Sequence, residues 1–134
     1  MAKKNIHEEK RISDEQTREL QKYILDMLLA IDQVCREHNL CYYLIAGTML
    51  GAVRHKGFVP WDDDADVALP RKDYNEFVKH ANEWLPKRYE LVSGLQDPMY
   101  PYQFARIQDK ETTYILRRKF NFVGCLPVDV FPLD

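Results

Sequence analysis

The spacing of apolar positions changes repeatedly along the chain, and each change marks an element. From Leu20 onward Ile24, Met27, Leu28, Ile31, Val34 and Cys35 recur every three or four residues, forming one stripe of an amphipathic helix. Upstream, Ser13-Asp14-Glu15-Gln16 has the form of a capping box, in which the Ser13 oxygen takes an exposed N–H and Gln16 reaches back. The helix is predicted to run from there to about Glu37, with Asn39 ending it. Residues 1–12 are polar and predicted to be a flexible segment ahead of a single domain over residues 13–134.

The period then shortens. Cys41-Tyr42-Tyr43-Leu44-Ile45 is aromatic and β-branched, a strand. Ala46-Gly47-Thr48 breaks it, and Met49 to His55 predicts a short helix. A loop to Pro60 leads into an acidic run and a second strand that ends at Pro70. Arg71 to Leu85 predicts another helix, with Tyr74, Phe77, Val78, Ala81 and Leu85 on its apolar side and Pro86 closing it. Four strands are predicted beyond it: Tyr89–Ser93, Gln103–Gln108, Thr112–Leu116 and Cys125–Phe131. This order predicts an α/β or α+β fold, a sheet with helices packed on one face.

Composition narrows the class. At 134 residues, 46% apolar and 30% charged, the chain has the make-up of an ordinary globular domain. A net charge of −2 gives no global attraction to nucleic acid, so a polyanion would have to be met by a local patch such as Arg54-His55-Lys56. Cys35, Cys41 and Cys125 are odd in number and lack zinc spacing, which predicts a reducing compartment and small core thiols. No apolar run is long enough to span a bilayer, and the N-terminus lacks a signal-peptide core. The expected location is cytoplasmic, with peripheral contact at the inner face of the membrane left open.

The chemistry concentrates in Trp61-Asp62-Asp63-Asp64-Ala65-Asp66-Val67, four carboxylates within five positions at the entrance of an apolar strand. Such a cluster repels itself, and oxygen-rich sites of this kind suit Mg²⁺. Residues i and i+2 of a strand share a face, so Asp64 and Asp66 can bind one cation while Ala65 and Val67 face the core. Asp62 and Asp63 would be outer or capping groups; the competing reading is a solvated acidic turn. Asp129, in Pro127-Val128-Asp129-Val130-Phe131, is either a hydrogen-bonded strand-end carboxylate or a third ligand if its strand lies beside the first. Gly47-Thr48, between strand and helix, offers backbone N–H groups and a hydroxyl to a phosphate. Arg54 and His55 are cationic candidates for the same cleft, and Arg106 could reach it by alternation along its strand. Asp134, past Pro132, is read as the cap of a further element.

The run from Tyr43 through Ala46-Gly47-Thr48-Met49-Leu50-Gly51 and Gly57-Phe58-Val59-Pro60-Trp61 to Asp66 closely resembles the LicD family of phosphotransferases, which includes fukutin and fukutin-related protein. That family belongs to the nucleotidyltransferase superfamily, whose pattern is Gly-Ser/Thr, then Asp-x-Asp, then a third Asp on a later strand. Gly47-Thr48, Asp64/Asp66 and Asp129 match it in order. Pro70-Arg71-Lys72-Asp73-Tyr74 and Asp129-Val130-Phe131-Pro132-Leu133-Asp134 also look like family segments. Ala46 stands where many members carry Gly. Family proteins usually continue beyond the last segment, so the chain is expected to be the N-terminal portion of a nucleotidyltransferase-like mixed sheet, truncated at the C-terminus, with much of the acceptor site in the remainder.

The resemblance implies Mg²⁺-dependent transfer of a phospho-alcohol, such as phosphocholine, from a CDP-alcohol to a sugar hydroxyl of a cell-surface glycan, lipopolysaccharide or teichoic acid, releasing CMP. Asp64, Asp66 and Asp129 would hold Mg²⁺, with Mn²⁺ as an alternative, and Asp129 would take the acceptor's proton. Gly47, Thr48, Arg54 and His55 would bind the donor. The alternatives are a nucleotidyltransferase that uses an NTP, and a non-catalytic fragment that binds nucleotide or a partner.

Overall fold

The computed structural model describes residues 14–58, 64–117 and 121–134. The N-terminal segment, Ser13 of the capping box, Trp61, Asp62 and Asp63 lie outside the described residues. Helix α1 spans Asp14–Glu37, and strand β1 is Tyr43–Leu44. Helix α2 is Ala46–Arg54, strand β2 Asp66–Pro70 and helix α3 Arg71–Trp84. Strands β3 (Tyr89–Val92), β4 (Ala105–Arg117) and β5 (Asn121–Leu133) complete the chain. None of the helices among the described residues is long and apolar enough to cross a membrane.

The five strands form one mixed sheet in the order β1-β2-β5-β4-β3, in which β2 and β5 run parallel and the other neighbours antiparallel. The expected α+β architecture is therefore present. The core forms where the stripe of α1 (Ile24, Met27, Ile31) and that of α3 (Phe77, Val78, Ala81) meet one face of the sheet, carried by Val67, Leu69, Leu91, Ile107, Val128 and Val130. Phe77 is wholly buried, and its truncation to Ala would cost about 3–5 kcal/mol.

Local chemistry sets the element ends. Asn39 takes the left-handed conformation (φ 57°) after α1, and Leu40 N–H donates to the Cys35 carbonyl at 2.8 Å, which closes the helix as a Schellman turn. At the outer edge of the sheet, the Asn82 side chain of α3 both donates to and accepts from the backbone of Leu91, at 3.0 and 2.7 Å. That satisfies edge groups of β3 that would otherwise be open to pairing.

Several expectations change. The strand expected over Cys41–Ile45 shrinks to two residues, and α2 starts earlier, so Gly47 and Thr48 lie in its first turn. The strands expected at Gln103–Gln108 and Thr112–Leu116 are one strand, β4, with a register shift against β5 between Asp109 and Tyr114. The polar run Gln108-Asp109-Lys110-Glu111 has the composition of a turn, yet Asp109 is 0% exposed and receives two hydrogen bonds from Arg88, both at 2.9 Å. Thr112 bridges the irregularity, its hydroxyl donating to the Asp109 carbonyl and accepting from Leu126 N–H. Of the thiols, Cys35 is a core residue, whereas Cys41 is exposed and Cys125 only half-buried. Asp134 takes a bidentate pair from Arg71, at 2.6 and 3.0 Å, tying the end of β5 to the start of α3.

Candidate active site

The site begins with the alternation of β2 and its approach. Asp64 is exposed, Ala65 buried, Asp66 half-buried and Val67 buried, so the two carboxylates lie on the side opposite the core. In the parallel ladder Asp66 is the direct partner of Asp129, and Asp129 N–H donates to the Ala65 carbonyl at 3.3 Å. Directly paired residues of adjacent strands share a face. The ladder thus puts Asp129 on the carboxylate side, between buried Val128 and Val130.

The backbone of Asp66 is fixed at both polar groups. Its N–H donates to the Thr48 hydroxyl at 2.9 Å, and its carbonyl accepts from Ile45 N–H at 3.2 Å. Thr48 is buried, so the first turn of α2 is anchored to the start of β2 through a single hydroxyl. This gives Thr48 a job beyond the expected contact with phosphate: it positions Asp66. Ala46, at the head of the same helix, is in the left-handed region at φ 54°, where an L side chain is strained and glycine is not.

Arg54 and His55 are exposed at the other end of α2, about 9 Å from Thr48 along the helix axis. The fold brings Thr48, Asp66 and Asp129 together. Asp64 flanks the pair from the approach to β2. Among the described residues no group of three or more histidine, cysteine, aspartate or glutamate side chains is placed to hold a metal ion together.

One partner was legible only as an alternation on its strand. Arg106 of β4 is the antiparallel partner of Asp129, and its Nε donates to Asp129 Oδ1 at 2.8 Å. Its guanidinium lies 5.3 Å from the centre of the Tyr102 ring. Burial is the largest single influence on the Arg106 charge and opposes it, but the bond and charge of Asp129, with Tyr100 and Tyr102 nearby, together hold the guanidinium's pKa above its ordinary value. Tyr102 in turn stacks on Phe104, which packs on Phe131, and Tyr100 meets Tyr102 edge-on at 5.5 Å. These aromatics went unassigned in the sequence. Their signal was the period-two spacing of Tyr100, Tyr102 and Phe104 leading straight into Arg106. Tyr102 and Phe104 also line a cleft of about 540 Å³ against Tyr74 and Val78 of α3, and none of the three carboxylates borders it.

The donor set fits a hard divalent cation. Two half-buried carboxylates, Asp66 and Asp129, share a row, Asp64 is exposed on the approach to β2, and Asp129 keeps Oδ2 without a hydrogen-bond partner among the described residues. Mg²⁺ is commonly held by one or two carboxylates, with water and substrate phosphate completing the shell, so an open pair suits it better than a closed cage would.

A helix docked through a Thr hydroxyl onto the strand that carries Asp-x-Asp, with a third Asp on the parallel neighbour, defines a nucleotidyltransferase-type domain. The chain belongs to the LicD/FKTN/FKRP nucleotidyltransferase-domain family, which it matches over residues 39–132. It is 41% identical over 97 residues to the lipopolysaccharide cholinephosphotransferase LicD of Haemophilus influenzae, a match covering 71% of this chain and 36% of that protein. It is also 36% identical over 59 residues to an uncharacterised protein of Rickettsia prowazekii, covering 44% of this chain and 21% of that one. The chain therefore spans only about a third of the length of the cholinephosphotransferase it matches.

Proposed function

We propose that this domain transfers a phospho-alcohol, phosphocholine by preference, from a CDP-alcohol to a hydroxyl of a surface glycan such as lipopolysaccharide, releasing CMP. The observation that carries this reading is the direct pairing of Asp66 with Asp129 across the parallel ladder, with the backbone of Asp66 held by Thr48. The likeness to a lipopolysaccharide cholinephosphotransferase favours choline as the alcohol and lipopolysaccharide as the acceptor.

Asp66 and Asp129, with Asp64 beside them, would hold Mg²⁺ or Mn²⁺. A bound cation would supply charge neutralisation on the diphosphate and on departing CMP. The chain's own groups do the rest. Thr48 and the first-turn amides of α2 receive phosphate oxygens, while the bond that Asp66 N–H donates to Thr48 keeps Asp66 from moving as charge develops. Asp129 accepts the acceptor hydroxyl's proton on Oδ2, and Arg106 on Oδ1 fixes the carboxylate's orientation. As the acceptor oxygen bonds to the phosphorus bearing the alcohol, the bond from that phosphorus to the oxygen of CMP breaks.

The test is incubation with Mg²⁺ and an acceptor glycan, separately with CDP-choline, CDP-ribitol, CDP-glycerol and CTP. CMP release from CDP-choline supports the reading. Pyrophosphate from CTP, with no CMP from any CDP-alcohol, would instead assign an NTP-using nucleotidyltransferase.

A further inference from the structure

Among the described residues four arginines pair with an aspartate, two through a fork and two through Nε alone: Arg36, exposed on α1, to Asp32, and half-buried Arg106 to Asp129. Arg71 engages Asp134 through Nε and Nη2, and Arg88 engages Asp109 through the same two nitrogens. Both forks are closed. Arg106 gives Asp129 only its Nε, and its terminal nitrogens have no hydrogen-bond partner among the described residues. A guanidinium carries five N–H donors in a fixed plane. Here that plane is held by Asp129 on one side and by the Tyr102 ring at 5.3 Å. A pre-oriented, half-open fork beside the carboxylate row is suited to two oxygens of one tetrahedral anion.

A second donor nearby is also unmatched. The Tyr100 hydroxyl is buried and finds no partner among the described residues, although its ring packs against Tyr102, which carries Arg106. Burial outweighs the opposing Arg106 charge and, with Asp129 adding to it, pushes the Tyr100 pKa up to about 12; like any tyrosine hydroxyl, the group is a proton donor at neutral pH. A buried hydroxyl without an acceptor is costly and calls for a ligand that supplies one.

We propose that the terminal nitrogens of Arg106 and the Tyr100 hydroxyl form a phosphoryl-oxygen subsite beside the Asp66–Asp129 pair, and that it grips the phosphate carrying the transferred alcohol. The assignment of that phosphate rests on the CDP-alcohol reading above. The existence of an anion subsite does not. Tyr100 and Arg106 thereby become specificity determinants, distinguishing a diphosphate donor from CMP, which has no second phosphate to offer.

The test titrates the full chain, in Mg²⁺, with inorganic phosphate, CMP and CDP-choline, following ³¹P resonances and heat, for wild type, Tyr100→Phe, Arg106→Gln and Arg106→Lys. Tyr100→Phe removes an orphaned buried hydroxyl, so its melting temperature rises while CDP-choline and phosphate bind about 3- to 10-fold more weakly. Arg106→Gln weakens both about 10- to 100-fold, and Arg106→Lys recovers part of the loss. CMP affinity stays at the wild-type level throughout. Equal weakening of CMP and CDP-choline would overturn the proposal, because Arg106 would then act only through Asp129 and the metal. Unchanged CDP-choline and phosphate binding in Tyr100→Phe and Arg106→Gln would also overturn it, as would a wild type that binds neither. If Arg106→Gln does not fold, Tyr100→Phe decides by the same criterion. Phosphate binding that depends on Arg106, without any binding of CDP-choline, keeps the subsite and removes the donor reading.

Discussion

Asp129 lies directly across the parallel β2–β5 ladder from Asp66, so two carboxylates distant in sequence occupy neighbouring places on one face of the sheet. Each has its own support: Thr48 holds the backbone of Asp66, and Arg106 holds the side chain of Asp129. The supports differ chemically, and substitution separates them.

Thr48→Val keeps the shape of the side chain but leaves the Asp66 N–H without its acceptor. The expected loss is about 1–3 kcal/mol of stability, with Thr48→Ser close to wild type. Because Asp66 loses its anchor, turnover should fall about 10- to 100-fold, as it does for groups that orient metal ligands. Denaturant unfolding together with the CMP-release assay checks both, and a fully active Thr48→Val would refute the positioning role.

The Arg88–Asp109 pair should respond asymmetrically. Arg88→Met strands a carboxylate that is 0% exposed and should cost about 3–5 kcal/mol. Asp109→Asn leaves a partly exposed arginine that solvent and Glu111 can serve, so its cost is smaller. Urea midpoints for the two variants check the order.

Ala46→Gly should stabilise the protein. The φ of 54° strains any L side chain by about 1–2 kcal/mol, partly offset by the greater unfolded-state freedom of glycine, leaving a gain of roughly 0.5–1 kcal/mol. A higher melting temperature with unchanged donor affinity is the expected result.

Asp32 provides a pH signature. Its carboxylate accepts from Arg36 at 2.7 Å and from the Tyr42 hydroxyl at 2.8 Å, and these bonds, Arg36 first, hold its folded pKa below the ordinary 3.8. A depressed folded pKa means that the stabilisation is fully present above the unfolded value and is lost as pH falls through the folded one. Asp32→Asn should therefore cost about 1 kcal/mol at pH 7, and the gap to wild type should close below pH 3.8. A gap of constant size down to low pH would contradict this.

Local pattern made much of the fold legible. The stripe from Leu20 to Cys35 located α1, and Asn39 supplied the left-handed residue that ends it. The alternation through Asp64, Ala65, Asp66 and Val67 gave the face of the carboxylates. Strand pairing lay beyond the reach of local pattern. That β5 lies beside β2, although α3, β3 and β4 intervene in sequence, is decided by the whole sheet. The run at Asp109 has the composition of a turn because a charge buried by Arg88 carries no local mark. Arg106 and Tyr100 have the same difficulty: their significance lies in which hydrogen bonds they leave unmade.

The central claim is that Asp66 and Asp129 together bind a divalent cation, and Mn²⁺ titration followed by electron paramagnetic resonance tests it most directly. The wild-type chain should show a saturable site that Mg²⁺ competes for, weakened about 10-fold or more by Asp66→Asn and by Asp129→Asn alike. Both variants should remain folded by circular dichroism. Mn²⁺ binding of wild-type strength in both folded variants would show that the paired carboxylates are not a metal site.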